Sequence, residues 1–403
     1  MRPAADVPRL LVFLVLLVIL LPLTGAGQQA ASRPLTFQQI VDLVSLGAPD
    51  LTVHDEIGAR GLAFVPDPAL LASLRTKGAG PMTLADITAL IPKASPRAEA
   101  LSDLVYMPSH QGLGLIELNV ADGKIQRTAK TSLFNNTFVS WNANRREFYV
   151  AANNGDAVSV IAADTFVETA AMKGDVGWNT YSTALSRDGR DLYLACSGAP
   201  TVRLVSFDTA SRSHIATTVV SRGGTGDYLA LSPDGGRLYV SSGSDLYEYQ
   251  ASGLRLLRQQ TFAGWQTAPL AVSSDGQFLF ALQRGGVVRA RSNSLTTDKS
   301  IALPEAGSKL SLSTDGRYAL AAGQDALYRV PLSMDTYTLI RPPRRTNWRF
   351  FEFAESSDGR ALYVLSGGNG QESLWVIDLA TRQVIKTVDG IPYPGSIISV
   401  PRR

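Results

Sequence analysis

Ser232-Pro233-Asp234-Gly235-Gly236-Arg237-Leu238-Tyr239-Val240 decides the fold of this chain, because the pattern it opens with returns four more times. Ser186-Arg187-Asp188-Gly189 precedes Leu192-Tyr193-Leu194, and Ser273-Ser274-Asp275-Gly276 precedes Phe278-Leu279-Phe280. Ser313-Thr314-Asp315-Gly316 leads into Tyr318-Ala319-Leu320, and Ser356-Ser357-Asp358-Gly359 into Leu362-Tyr363-Val364. Successive aspartates lie 46, 41, 40 and 43 positions apart. A period of about 40–45 residues with short strands is that of a β-propeller, one four-stranded blade per repeat. Asp-Gly between two strand-like runs marks a tight turn that needs positive φ, which glycine adopts at little steric cost and aspartate tolerates.

Two weaker units lie further out toward the N-terminus. The run NANRREFYV, residues 142–150, fits the pattern with Asn144 and Arg145 in place of Asp-Gly, 44 positions before Asp188. Before it, Leu104-Val105-Tyr106-Met107 starts a unit with no leading strand, and residues 395–400, GSIISV, supply such a strand at the other end of the chain. The expectation is an all-β, seven-bladed β-propeller over residues 104–403, closed by a C-terminal strand that completes the first blade. Closure removes the exposed edges of an open array.

The repeats resemble the YVTN family of bacterial β-propeller repeats. The resemblance rests on Ser232 to Val240 and on the later Val376-Ile377-Asp378-Leu379-Ala380-Thr381. It covers about three-quarters of the chain and implies the propeller fold while saying little about activity. Some propellers similar to these repeats are lactonases, so the resemblance also leaves a lactonase-like hydrolase open as an alternative function.

Ahead of the repeats the periodicity is helical. Thr36 and Gln39 form a capping box for a helix with Ile40, Leu43 and Val44 on one face, ending at Gly47. Val53 to Arg60 reads as a shorter helix, Asp67-Pro68 opens another with Leu70, Leu71 and Leu74, and Thr83 starts a last one with Ile87, Leu90 and Ile91. Leu35, Gln39, Ile40, Arg60, Gly61, Leu62, Phe64, Leu71, Leu74, Gly78 and Ala79 resemble a small helical module of exported or multidomain bacterial proteins. Its role is either a spacer or a docking element. Residues 35–91 are taken as this module and 92–103 as a linker.

Residues 10–21, LLVFLVLLVILL, follow Arg2 and Arg9 and precede the small residues Thr24, Gly25 and Ala26. As a helix the stretch from Leu10 to Leu23 is about 21 Å long, short of the ~30 Å hydrocarbon core, which favours a signal peptide within residues 1–27 over a membrane anchor. The expected location is therefore the periplasm, cell surface or medium, with membrane contact only through this segment if it is retained.

Composition narrows the function. A formal charge of +3 over 403 residues gives no reason to expect nucleic acid, and the basic-aromatic cluster Arg341, Arg344, Arg345, Trp348 reads as a solvated loop. Cys196 is the sole cysteine, so no internal disulfide forms, and three histidines leave little for a metal site. No cofactor is expected.

The Asp-Gly turns also serve as a ruler. Ten residues before the Asp or Asn of each turn stand Phe134, Trp178, Gly224, Trp265, Glu305 and Trp348. These aromatics either pack between blades or form a rim around the channel mouth, with Asn179, Gln266 and Arg349 beside them. Rings and arginine are what binding hot spots favour. His110 and Arg284 fall in loops of the same face. No nucleophile elbow, phosphate loop or paired carboxylate motif appears. The sequence thus points to a monomeric, non-catalytic exported scaffold that binds an envelope protein, peptide or glycan through Trp178, Asn179, Trp265, Gln266, Trp348, Arg349, Phe134, His110 and Arg284. No catalytic and no metal-binding residue is named.

Overall fold

In the computed structural model the described residues are 35–401 apart from 63–65, 67, 91–100, 102, 111, 154, 175, 178, 199–200, 223–227, 263–265, 267, 306, 325, 342–348 and 369–370. The apolar run at residues 10–21 lies outside them. Among the described residues no helix is long and apolar enough to cross a membrane. The chain divides into two compact units, Met1–Ser95 and Pro96–Arg403.

The described residues of the first unit form four helices: α1 (Phe37–Ser45), α2 (Asp50–Arg60), α3 (Pro68–Thr76) and α4 (Pro81–Leu90). The capping box forms, with Gln39 N donating to Thr36 Oγ1 and Thr36 N to Gln39 Oε1. Helix α2 begins three residues earlier than Val53, because Pro49 is extended and Asp50 sits well in a first turn. Helix α4 begins at Pro81 rather than Thr83, because its cap comes from elsewhere in the unit. Asp50 accepts from Met82 N (2.8 Å), Thr83 N (2.9 Å) and Thr83 Oγ1 (2.7 Å), and these bonds, Thr83 Oγ1 foremost, hold its carboxyl below the usual range. The expected cap Asp67 and the expected helical Ile91 lie outside the described residues. Leu35, Ile40, Leu43, Val53, Ile57, Leu74 and Ile87 form the core.

The described residues of the second unit form seven four-stranded antiparallel sheets. Their innermost strands are Ile398–Pro401, Asn136–Asn142, Asn179–Leu185, Tyr228–Leu231, Leu270–Val272, Lys309–Leu312 and Arg349–Glu355, in blades 1 to 7. Each touches the next around a closed ring. The C-terminal strand pairs with the first, Leu104 opposite Val400 and Tyr106 opposite Ile398. It starts at Ile398 rather than Gly395, because the two residues before Ile397 bond to two different blades: Gly395 N donates to Pro108 O and Ser396 N to Thr137 O, both at 2.7 Å.

Packing explains why the second strand of each blade reads as a continuous apolar run. Glu147–Ala152 is buried on both faces, toward the strands of the two neighbouring blades. Val105, Met107 and Ile116 of blade 1 thus meet Tyr363, Leu365 and Leu374 of blade 7. Cys196 is fully buried in the same way between blades 2 and 3.

The Ser-x-Asp-Gly turns join the first and second strands of blades 3 to 7 and share one hydrogen-bond pattern. Ser232 Oγ donates to Asp234 Oδ1 (2.5 Å) and accepts from Arg237 N (2.9 Å), while Gly236 N donates to the same Asp oxygen (3.0 Å). Only the glycine takes positive φ, from 67° at Gly316 to 74° at Gly235. The aspartate is therefore used for its carboxylate, which ties a hydroxyl and an amide together, and not for any tolerance of left-handed backbone. Asn144-Arg145 departs from this scheme, with positive φ moved to Arg146 and Asn144 Nδ2 donating to Asp188 O of the next blade.

A second repeated device carries no residue pattern. In each of the seven blades a residue one to four positions before the outermost strand has positive φ: Gly123, Phe166, Arg212, Leu254, Leu295, Met334 and Arg382. This is the left-handed position of a three-residue hairpin with a bulge. Phe166, Leu254, Leu295 and Met334 are also buried there, so the backbone strain aims an apolar side chain into the core. Basic side chains then brace neighbouring hairpins. Arg127 reaches the carbonyls of Ala163 and Asp164, Arg258 that of Ser292, Arg289 that of Leu332, and Lys386 that of Ala121 across the seam.

Candidate functional site

Antiparallel strands put the Asp-Gly turns and the last hairpin of each blade on one end of the ring. The connections between blades and the turns after each second strand lie at the other end. There the structure describes part of the aromatic rim. Trp178, Trp265 and Trp348 lie outside the described residues. Asn179 begins an innermost strand and bridges Asn153, and Arg349 begins another. Gln266 is exposed, its amide donating to Gln283 Oε1, and Arg284 is exposed in the turn before Gly286–Arg291. Phe134 and His110 also lie in neighbouring loops, joined through Asn135.

Three loops meet around His110. Its backbone N donates to Tyr393 O (2.9 Å), and its ring Nδ1 lies 2.7 Å from Asn135 Oδ1. Asn135 O accepts from Asn153 N, and Ser109 Oγ donates to Pro392 O. Asn135 and Tyr393 both hold positive φ, 61° and 44°, in a web that links blades 1 and 2 to the C-terminal segment. On this web stand Phe134, 68% exposed, Tyr393, 39%, and Leu113, 38%. A Cβ on Gly112 would touch the Phe134 ring at 3.9 Å, which places that ring over the neighbouring loop. Leu113 and Tyr393 were not among the residues the sequence singles out, because neither shares the ten-residue register.

Inside the ring at the same end is a cavity of about 390 Å³, lined by the innermost strands or their lead-in residues from six blades and by Asn153, which follows the second strand of blade 2. Lys309 and Glu352, on adjacent blades, form an ion pair in it, with Lys309 Nζ 2.9 Å from Oε2 and 3.2 Å from Oε1. Burial pushes the Glu352 carboxyl above the usual range while the Lys309 ammonium opposes that rise. Burial, and then the Glu352 charge, likewise raise Tyr228. The remaining wall is mostly hydroxyls and rings, among them Thr180, Ser182, Tyr181 and Phe138. A signal for this cavity exists in the sequence. Counting back six residues from each turn Asp or Asn, instead of ten, gives Phe138, Ser182, Tyr228, Pro269, Lys309 and Glu352, and all but Pro269 line it.

Among the described residues no group of three or more His, Cys, Asp or Glu is placed to hold a metal ion.

No protein-family model matches the chain. No curated protein matches it in sequence. Solved structures do match in fold. A functionally unknown protein from Desulfotomaculum acetoxidans has a TM-score of 0.61 at 12% identity, over 73% of this chain and 98% of that one. The Cps50 (Swd1) β-propeller domain of Myceliophteria thermophila has a TM-score of 0.57 at 15% identity, over 66% and 91%. Hydrazine synthase of Kuenenia stuttgartiensis has a TM-score of 0.53 at 15% identity, over 62% and 78%. At these identities the likeness is one of fold.

Proposed function

We propose that the chain is a non-catalytic, exported binding protein of the cell envelope, built on YVTN-type repeats, that docks a protein or peptide on the end of the propeller opposite the Asp-Gly turns. The observation that carries the reading is the exposed trio Leu113, Phe134 and Tyr393 on three loops fixed by the His110 web. Large apolar side chains held in water by a rigid backbone are what a protein interface buries, at about 1.5–3 kcal/mol for each fully covered side chain. A prearranged web lowers the ordering cost of association. The apolar run at residues 10–21 and the small residues after it support export.

The test compares wild type with Leu113→Ser/Phe134→Ser as bait on a native envelope fraction. The expected result is a partner retained by wild type and lost by the double variant at unchanged melting temperature. Equal retention by both proteins would remove the rim from the interface.

A further inference from the structure

The channel cavity carries a second inference, independent of the rim patch. Its groups are arranged for a ligand. Among the described residues, Thr180 Oγ1 and Asn153 Oδ1 are buried without a hydrogen-bond partner, and both residues line the cavity. Thr180 is 1% exposed, so bulk water does not satisfy it. The Lys309–Glu352 pair adds further capacity. An ammonium has three donors and a carboxylate about four acceptor sites, of which the pair uses few.

The pair is also electrically balanced. A ligand with net charge would leave water for a site that offers no net opposite charge, whereas a neutral ligand meets no such cost. Hydroxyl groups both donate and accept, so they match a wall that mixes Asn153 and Glu352 acceptors with Lys309 donors and the Thr180 hydroxyl. The Phe138, Tyr181 and Tyr228 rings offer apolar faces for C–H groups. The volume lies in the ~300–1,000 Å³ range of small-molecule sites.

We infer that the channel of this propeller is a binding site for an uncharged polyol of mono- or disaccharide size, held by Thr180, Asn153, Lys309 and Glu352.

The experiment titrates the full chain by calorimetry with D-glucose, D-mannose, N-acetyl-D-glucosamine and maltose, with glucuronate and glucosamine as charged comparators. One-to-one saturable binding of at least one neutral sugar is expected. Thr180→Val, which keeps the shape and removes the hydroxyl, should weaken it about three- to tenfold. Glu352→Gln leaves the Lys309 cation unbalanced and should shift selectivity toward glucuronate by about fivefold or more. Circular dichroism melting checks that each variant folds, and the wild-type titration stands without them. The inference is overturned if none of the four neutral sugars binds, which would make the channel water-filled. It is equally overturned if a charged comparator binds wild type more tightly, or if folded Thr180→Val and Glu352→Gln both bind as wild type does.

Discussion

Tyr363 donates its hydroxyl to Oδ2 of Asp103 across 2.8 Å, joining blade 7 to the second strand of blade 1, Asp103–Ser109, over 260 positions of sequence. The same carboxylate accepts from Ser357 N (3.0 Å) and Ser357 Oγ (2.5 Å), so the last Asp-Gly turn is fastened to the start of the ring. Tyr363→Phe keeps the ring shape and leaves Asp103 two donors. It is expected to cost about 0.5–1.5 kcal/mol. Asp103→Ala orphans a buried hydroxyl and an amide together and should cost about 3 kcal/mol or more. Urea unfolding of both variants checks the order, and equal losses would mean that the seam does not depend on the carboxylate.

The seam has a second fastening at Gly395. A Cβ added there would lie 2.3 Å from Thr137 O, closer than any side chain approaches backbone. Gly395→Ala must therefore displace the bonds from Gly395 N to Pro108 and from Ser396 N to Thr137. We expect a lowered melting temperature for Gly395→Ala and a larger drop on removing residues 395–403, which also exposes the edge of Asp103–Ser109. Scanning calorimetry decides it, and a truncated chain melting with wild type would refute closure by this strand.

The ring was legible because Asp-Gly turns need particular side chains and recur at a fixed spacing, so Asp188 through Asp358 locate five blades directly. The left-handed hairpin positions were not, because Phe166, Arg212, Leu254 and Met334 share a backbone angle and no chemistry. Helix α4 was misplaced at its start because its cap, Asp50, lies 32 positions before Met82 and no local motif announces it. The candidate channel pair was hidden differently. Lys309 and Glu352 share one register relative to their turns, but they become a pair only when blades 6 and 7 stand side by side. Leu113, Phe134 and Tyr393 converge only through the closure that brings the two ends of the propeller together.

Leu295 tests what the strained hairpins do. It has a φ of 57° and is 1% exposed in the core between blades 4 and 5. Leu295→Ala loses burial and keeps the strain, for an expected loss of about 2–5 kcal/mol. Leu295→Gly loses similar packing but releases about 1–2 kcal/mol of left-handed strain. Glycine should thus be the milder replacement, the reverse of the usual order in regular structure. Chemical denaturation of the pair measures it; alanine matching or exceeding glycine would show that the backbone there is not strained.

Asp315 ties acid stability to the repeated turn. The Ser313 hydroxyl, assisted by the Arg317 amide and guanidinium, lowers its carboxyl to about 2 from the ordinary 3.8. Asp188, Asp234 and Asp275 are lowered by the corresponding serines. A depressed carboxylate contributes stability that is complete above the unfolded value and is lost as pH falls through the folded one. The melting temperature should therefore fall from about pH 4 toward pH 2, and Ser313→Ala should flatten that slope. Parallel slopes for wild type and variant would assign acid unfolding to other groups.

Glu352 works in the opposite direction, and Lys309 is what restrains it. Burial raises the folded carboxyl above its unfolded value, so its ionised form costs stability at neutral pH and protonation relieves that cost on acidification. Lys309→Met removes the opposing ammonium, and a buried carboxylate left alone should cost about 3 kcal/mol at neutral pH. The loss should shrink as pH falls toward the unfolded carboxylate range. Lys309→Met/Glu352→Gln has no titrating group at either position and supplies the reference, since the turn aspartates act equally in both proteins. The measurement is the difference in melting temperature between single and double variants from about pH 8 to pH 5. A gap that narrows with acid supports a buried carboxylate held ionised by Lys309, whereas a constant gap would mean that the single variant fails through packing alone.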